Sequence, residues 1–236
     1  MTVQTRRIVA VSHGDISCLG VVRTPRAVVV AFPVGTTPDA IRNALENPTL
    51  HLRQIGRGLL AILPPTYPLL GDTAEPALLR GRNVLVAIRS GETADAAASW
   101  LTYHQAHQGA EAAVIFDRDP PDRTEFADAV TALKPDLPVI VVSADHPFGQ
   151  ANAPDARDPA LAPAAPDRTM PPVDPWHAPL GQLTLFELLR HRFLSEARAV
   201  AFLDISDLLL PVPEGSVFDR AAQAPGKVLP LKGVET

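Results

Sequence analysis

Cysteine is almost absent from this chain: Cys18 is the only one in 236 residues. A lone thiol excludes an internal disulfide and fits a reducing compartment. Positive charge is not in excess either. Lys and Arg number 21 against 26 Asp and Glu, for a formal net charge of -5. The chain therefore lacks the basic footprint of a nucleic-acid binder. No long hydrophobic run occurs. The longest, residues 27–34, is strand-sized and ends at a proline and a glycine, far short of a membrane span. The amino terminus lacks a signal-peptide layout, because Arg6-Arg7 is followed by only a short apolar run before His13-Gly14-Asp15. These absences predict a soluble, cytoplasmic protein with no transmembrane segment. Familiar loops are missing too: there is no repeated-glycine dinucleotide fingerprint, no Gly-Lys-Ser/Thr phosphate loop and no Gly-x-Ser-x-Gly elbow. Ser12-His13-Asp15 cannot replace the last, since adjacent residues do not form a catalytic triad's geometry.

What is present suits a globular protein. Apolar residues make up 46 %, and the length allows one large domain or one plus a smaller one, with a substantial core. The 25 prolines cluster and so mark boundaries. Residues 1–78 read as a mixed α/β accessory region. It has strands at 7–11, 26–32 and 57–63, and a short helix from Thr37-Pro38 to about Glu46. Pro68, Gly71, Asp72 and Pro76 form a linker.

Residues 79–236 are better patterned. The run 83–88 is a continuous apolar strand, as expected when both sheet faces are covered. A helix over 93–108 follows, ended by Gly109. Then come a strand at 112–116, a helix to about Leu133 opened by an Asp122/Glu125 capping box, and a strand at 138–142. Residues 151–179 lose all apolar periodicity and become rich in Pro, Ala and Asp: a long excursion, mobile or folded over a site. A Thr184/Glu187 capping box opens the next helix, and a strand at 199–203 follows. The tail holds at most one short strand, 228–231. Strands alternating with such helices predict a three-layer α/β fold: a mostly parallel, Rossmann-like sheet with helices on both faces.

Two of these strands run into acid. One ends in Val114-Ile115-Phe116-Asp117-Arg118-Asp119, the other in Phe202-Leu203-Asp204-Ile205-Ser206-Asp207. A carboxylate at the carboxyl end of a parallel strand faces the crevice where open α/β sheets bind ligands. Asp117 and Asp119 can accept hydrogen bonds from ribose hydroxyls or a base, or form a solvated turn paired with Arg118 or Arg123. Asp204 and Asp207 can hold a hard divalent ion through oxygen, or cap a strand end and start a turn. Arg89 can reach a phosphate or remain a surface cation. His104 and His107 are spaced like metal ligands, but no Cys, Asp or Glu on that helix completes a set. Trp100 and Tyr103 read as packing residues.

Trp100-Leu101-x-Tyr103-His104, then Gly109, then the strand into Phe116-Asp117, resembles a segment of family-2-like glycosyltransferases. Phe202-Leu203-Asp204-Ile205-Ser206-Asp207-Leu208-Leu209 resembles that family's Phe-Leu-Asp-Ile-Asp-Glu-Phe-Leu metal motif, in the right order. The resemblance covers about residues 82–212. It implies the GT-A type of fold, a nucleotide-sugar donor, a glycan or lipid-linked acceptor, and a divalent metal, Mn or Mg. Arg89, Asp117 and Asp119 would then bind the nucleotide sugar, and Asp204 and Asp207 the metal. The resemblance assigns no catalytic base. The departures are Ser206 for the motif's middle acid, Ser90-Gly91 with Glu92 for the usual Asn-Glu, and Ser99 for the Glu before the tryptophan. The acceptor-binding half that relatives carry after the motif is missing, so a degenerate or truncated version is expected. The alternatives are a non-catalytic binding module of the same fold and an unrelated Rossmann-like nucleotide-binding protein.

Overall fold

A computed structural model describes residues 3–47, 49–161, 170–180, 182–211, 215–224 and 228–229. The first strands are β1 (Val3–Ile8), β2 (Val11–His13), β3 (Ile16–Cys18), β4 (Gly20–Arg23) and β5 (Val28–Phe32). Helix α1 (Pro38–Ala44) precedes β6 (Leu52–Ile55), β7 (Gly58–Leu63) and β8 (Asp72–Thr73). Then come β9 (Asn83–Arg89), α2 (Ala94–Gln108), β10 (Ala112–Asp117), α3 (Glu125–Leu133) and β11 (Val139–Ala144). After the Pro-rich excursion follow α4 (Gln182–Leu189), a π-helical turn at Arg190–Leu194, β12 (Ala199–Phe202) and α5 (Val217–Gln223).

The main sheet has five parallel strands in the order β1-β11-β10-β9-β12. Strands β9 and β10 are apolar on both sides because both faces are covered. One face carries Leu85, Ala87, Ala113 and Ile115, packed under Trp100 and Leu101 of α2, Phe126 of α3 and Phe218 of α5. The other carries Val84, Val86, Val114 and Phe116, packed under Leu185, Leu189 and Phe193 together with Val22, Ala31 and Leu60. Those last three belong to a second five-stranded sheet, β6-β7-β5-β4-β8, mostly antiparallel. One outer layer is thus helical and the other is part helix, part sheet.

Strand β9 hands on to β10 and then β11 on one side, while β12 returns to the other side of β9. The direction of winding therefore reverses between β9 and β12, and the crevice at that switch is where such sheets receive ligands.

Several local expectations need revision. Strand β1 joins the main sheet beside β11, so the boundary at residue 78 does not separate the two sheets. The strand expected at 7–11 breaks after Ile8, where the Ala10 amide leaves the ladder and donates to Asp145 Oδ1 at 2.9 Å. The Asp122/Glu125 capping box does not form. Thr124 holds the N-cap position, without a capping bond, and its hydroxyl donates to Asp128 at 2.8 Å. Nor does Thr184 cap α4. The helix already includes Gln182, which leaves Thr184 inside it, and Glu187 takes Arg190 at 2.6 Å. A true capping box, Ser216 with Asp219, opens α5 in the tail instead. The expected strand at 228–231 lies partly outside the described residues; Val228 and Leu229 form none.

The second sheet meets α4 at a tight point. A Cβ on Gly58 would lie 2.1 Å from Thr184 Oγ1, inside contact distance. Gly58→Ala should therefore destabilise the fold by about 1–3 kcal/mol through overpacking. Adding Thr184→Ala should recover part of that loss. Urea unfolding of the single and double variants measures both.

Candidate functional site

The two motifs that carry the family resemblance meet in space. Trp100 Nε1 donates to the Asp207 carbonyl at 3.1 Å, and Tyr103 Oη to the Leu209 carbonyl at 3.1 Å. His104, fully buried, accepts from the Leu209 amide on Nε2 at 3.2 Å. Its Nδ1 meets the Trp100 carbonyl at 2.8 Å, so Nδ1 carries the proton. Gln108 Nε2 donates to the carbonyls of Leu209 and Leu210. One face of α2 therefore holds the segment that leaves β12. Trp100 and Tyr103 are packing residues, as read, and His104 is a structural histidine rather than a ligand.

This clamp sets the turn 204–207 at the carboxyl end of β12. The Asp207 amide donates to the Asp204 carbonyl at 2.9 Å, and the Asp207 carboxylate accepts from the Asp204 amide at 3.3 Å. Both side chains are exposed. Burial of part of its surface, then the charges of Asp207 and Glu92, raise the Asp204 pKa. Glu92 belongs to the turn after β9, where its carboxylate accepts from the Ser90 amide at 2.6 Å. The acids of the two turns thus act on one another across the switch between β9 and β12; among the described residues the charges on Asp204 are those of Asp207 and Glu92, and Glu92 in turn acts on Arg157.

Arg89, Asp117 and Asp119 form a second group, one strand over. Arg89 and Asp117 are partner positions in the β9/β10 register. Arg89 Nη1 donates to Asp117 Oδ1 at 2.7 Å and also to Asp119 Oδ2, and its Nε donates to the Glu92 carbonyl at 2.7 Å. The guanidinium lies 4.5 Å above the Phe126 ring. Expected to reach a phosphate or stay on the surface, Arg89 is instead held inside the protein by two carboxylates. Asp117 is 4 % exposed. Burial raises its pKa, partly offset by Arg89. Burial also opposes ionisation of Asp119, but Arg89 and His177 outweigh it and its pKa is lowered. Neither acid pairs with Arg118 or Arg123. Arg118 points the other way, to the Ser90 hydroxyl at 3.2 Å and the Ala178 carbonyl.

His177 and Arg118 draw the returning limb of the Pro-rich excursion over this edge. His177 Nε2 lies 3.4 Å from Asp119 and its Nδ1 2.8 Å from Asp174. Backbone bonds join the two limbs: Asp174 N to the Ala153 carbonyl at 3.0 Å and Ala156 N to the His177 carbonyl at 3.1 Å. Asp155, Asp174 and His177 consequently place one ligand atom each within 4.8 Å of one another. These three can hold a cation, but each already has a partner. Arg157 holds Asp155 at 2.6 Å and pulls its pKa down to about 2. The described limbs of the excursion thus lie against the strand end of β10. His177 and Arg157 leave no local pattern in the sequence; Arg118 and Glu92 adjoin the strand-end acids and the turn after β9.

A cleft of about 870 Å³ opens beside the chain that follows β11, and none of Arg89, Asp117, Asp119, Asp204 or Asp207 lines it. No helix among the described residues is long and apolar enough to cross a membrane. Compared with known proteins, the chain matches no family model, no curated sequence and no solved structure.

The two groups predict different responses. Removing the Arg89 charge strands Asp117 in a buried site, so Arg89→Met should cost about 3–5 kcal/mol in chemical denaturation. For His104, burial lowers the folded-state pKa below the ordinary 6.5, outweighing the Trp100 carbonyl bond. The unfolded chain therefore binds the proton more readily. The stability contributed is complete above pH 6.5 and is lost as pH falls from there through the lowered folded value. His191 is shifted in the same direction, so the difference between wild type and His104→Gln isolates His104. Melting curves from pH 8 to 5 should be less pH-dependent in the variant.

Proposed function

We propose that this protein is a glycosyltransferase-like nucleotide-sugar binder whose donor site is the crevice between β9 and β12. The observation that carries the reading is the mutual placement of the two resembling motifs. Residues Trp100, Tyr103 and His104 hold the segment bearing Asp204 and Asp207 next to the turn bearing Glu92. The crevice also lies where the winding reverses, the favoured ligand position of a parallel sheet.

The acids there suit a hard divalent cation, Mn or Mg. They are oxygen donors, they sit at a sheet edge, and burial, followed by the charges of Asp207 and Glu92, raises the Asp204 pKa. Asp204 and Asp207 would hold the ion, with Glu92 beside them. When bound, the ion supplies charge neutralisation for a diphosphate leaving group. Ser206 makes the set weaker than three carboxylates. Asp117 is 4 % exposed and its Oδ1 already accepts from Arg89 and from the Asp119 amide, so in this reading Asp117 supports the nucleoside side of the site from behind. Arg89 then acts as a positioning residue that fixes Asp117 and Asp119. The transfer itself would move a hexose to a glycan or lipid-linked acceptor. A fold that binds the donor without turnover is the second reading, favoured by Ser206.

A thermal-shift panel of uridine, guanosine and thymidine diphosphates and their hexose conjugates, with and without Mn, tests the site. A ligand at 100 times its Kd adds about 2.7 kcal/mol to folding stability, a clear rise in Tm. Asp204→Asn and Asp207→Asn should abolish the Mn-dependent part of the shift, and Asp117→Asn should weaken the nucleotide part. No shift with any nucleotide, or a shift indifferent to all three substitutions, would sink the assignment. Hydrolysis of the donor that binds, measured with and without Mn, separates the enzyme from the non-catalytic module.

A further inference from the structure

We infer that the cleft beside the chain following β11 is a separate ligand site, which takes a small apolar organic acid, its carboxylate held by Arg57 and its hydrocarbon body covered by the apolar walls. This does not rest on the nucleotide-sugar reading, because none of the residues proposed there lines the cleft.

At about 870 Å³, the cleft is in the range of small-molecule sites. Its walls are mainly apolar. Phe32, Val34 and Ile55 come from the second sheet and its turns, Phe148 from the chain after β11, and Leu180 and Leu183 from the entry into α4. Val34 is 41 % exposed and Leu183 54 % exposed. Large apolar side chains are therefore left to solvent in one concavity, and a hydrocarbon body would cover them.

The polar handle is Arg57. It is the one permanent cation among the described residues that line the cleft, and none of them is an Asp or Glu, in a chain whose acids outnumber Lys and Arg by 26 to 21. The acids next in the chain to the lining are turned to other partners. Asp145 meets His146 at 2.7 Å and the Ala10 amide at 2.9 Å, and Asp174 meets His177 at 2.8 Å. Arg57 is exposed, and no described carboxylate or carbonyl accepts from its guanidinium. Its backbone is nonetheless fixed. Gly56 and Arg57 form the two-residue turn between β6 and β7, closed by the Ile55–Gly58 pair, with Gly56 at a left-handed φ of 58°. A Cβ on Gly56 would lie 3.2 Å from Leu183 Cδ1, so the hairpin tip rests on a residue of the cleft wall. The fold thereby delivers an uncompensated guanidinium to the rim of an apolar concavity.

The chemistry of the occupant follows. A guanidinium presents a planar fork of N–H donors that matches a carboxylate through two parallel bonds. One cation calls for one negative charge; a dianion would bring excess charge against apolar walls. Because Arg57 is at the exposed rim, the carboxylate keeps part of its hydration while the hydrocarbon body goes inward. A cationic ligand would meet Arg57 as like charge.

Isothermal titration of the full chain at neutral pH with three matched probes tests this. 2-Naphthoate carries the carboxylate, 2-naphthamide is its neutral counterpart, and 2-naphthylmethylammonium is the cation. 2-Naphthoate should bind about tenfold more tightly than 2-naphthamide, and the cation most weakly. Added salt should weaken 2-naphthoate and leave 2-naphthamide unchanged. Arg57→Gln, in an exposed turn, should bring 2-naphthoate to the level of 2-naphthamide, and Arg57→Lys should keep part of the preference. Val34→Trp should fill the cleft and weaken both. Equal binding of 2-naphthoate and 2-naphthamide by the wild-type protein would overturn the proposal, as would tightest binding of the cation. A preference that survives Arg57→Gln, or no binding of any probe, would overturn it too. The wild-type comparison decides the matter without any variant.

Discussion

The clamp of α2 on the chain leaving β12 is the contact on which the rest of this architecture depends. Residues 204–210 have no helix or strand to pair their backbone groups, yet Ile205 and Leu209 are buried. Buried carbonyls and amides must find partners. Trp100, Tyr103, His104 and Gln108 provide them, with five bonds to residues 207–210. At about 1 kcal/mol net each, these bonds are comparable with the cost of ordering four residues at about 1–2 kcal/mol apiece. Burial of Ile205 and Leu209, about 1.5–3 kcal/mol each, tips the balance toward order. Without the clamp the acidic turn would have no fixed position relative to the sheet.

That fixed position separates the two acidic strand ends by electrostatics. Asp117 and Asp204 both have raised pKa values and both end a parallel strand. Asp117 is nearly inaccessible and compensated by Arg89, with which it shares a register position. Asp204 is exposed, and the charges that act on it among the described residues are those of Asp207 and Glu92. A site that already contains its own counter-ion gains little from a cation; a site of unrelieved repulsion gains much. In the proposed function this difference favours the β9/β12 crevice for metal and diphosphate and gives the Arg89 network a supporting place beside it.

How much of this was legible in the chain depends on the range over which each contact acts. The apolar runs at 83–88 and 112–116 gave the buried strands, because a strand covered on both faces has no other composition. Helix α2 was bounded correctly by Thr93 and Gly109, which cap it through a side-chain oxygen and a left-handed φ of 66°. Capping boxes were less secure. A Thr or Asp three places before a Glu occurs often by chance, and at Thr184 the hydroxyl packs on Gly58 instead of an amide. The Arg89–Asp117 pair needed the strand register as well as the strands. His177, some 60 residues from Asp119 in the chain, and the cross-excursion bonds around it leave no local pattern at all. The resemblance pointed to two motifs but not to the hydrogen bonds between them, which only the fold supplies.

The carboxyl edge of the sheet thus carries three different electrostatic situations within five strands. At β12 Asp204 stands near Asp207 and Glu92; at β10 acids and arginine pair with one another; at β11 Asp145 pairs with His146 beside an apolar cleft. The Pro-rich excursion begins after β11, and its returning limb is tied down at β10 by Arg118 and His177. Its tethered limb therefore lies against the middle group, between the other two. A segment without a regular core of its own stays in place because buried charge at β10 holds it, and the same tether keeps the cleft beside β11 apart from the crevice beside β12.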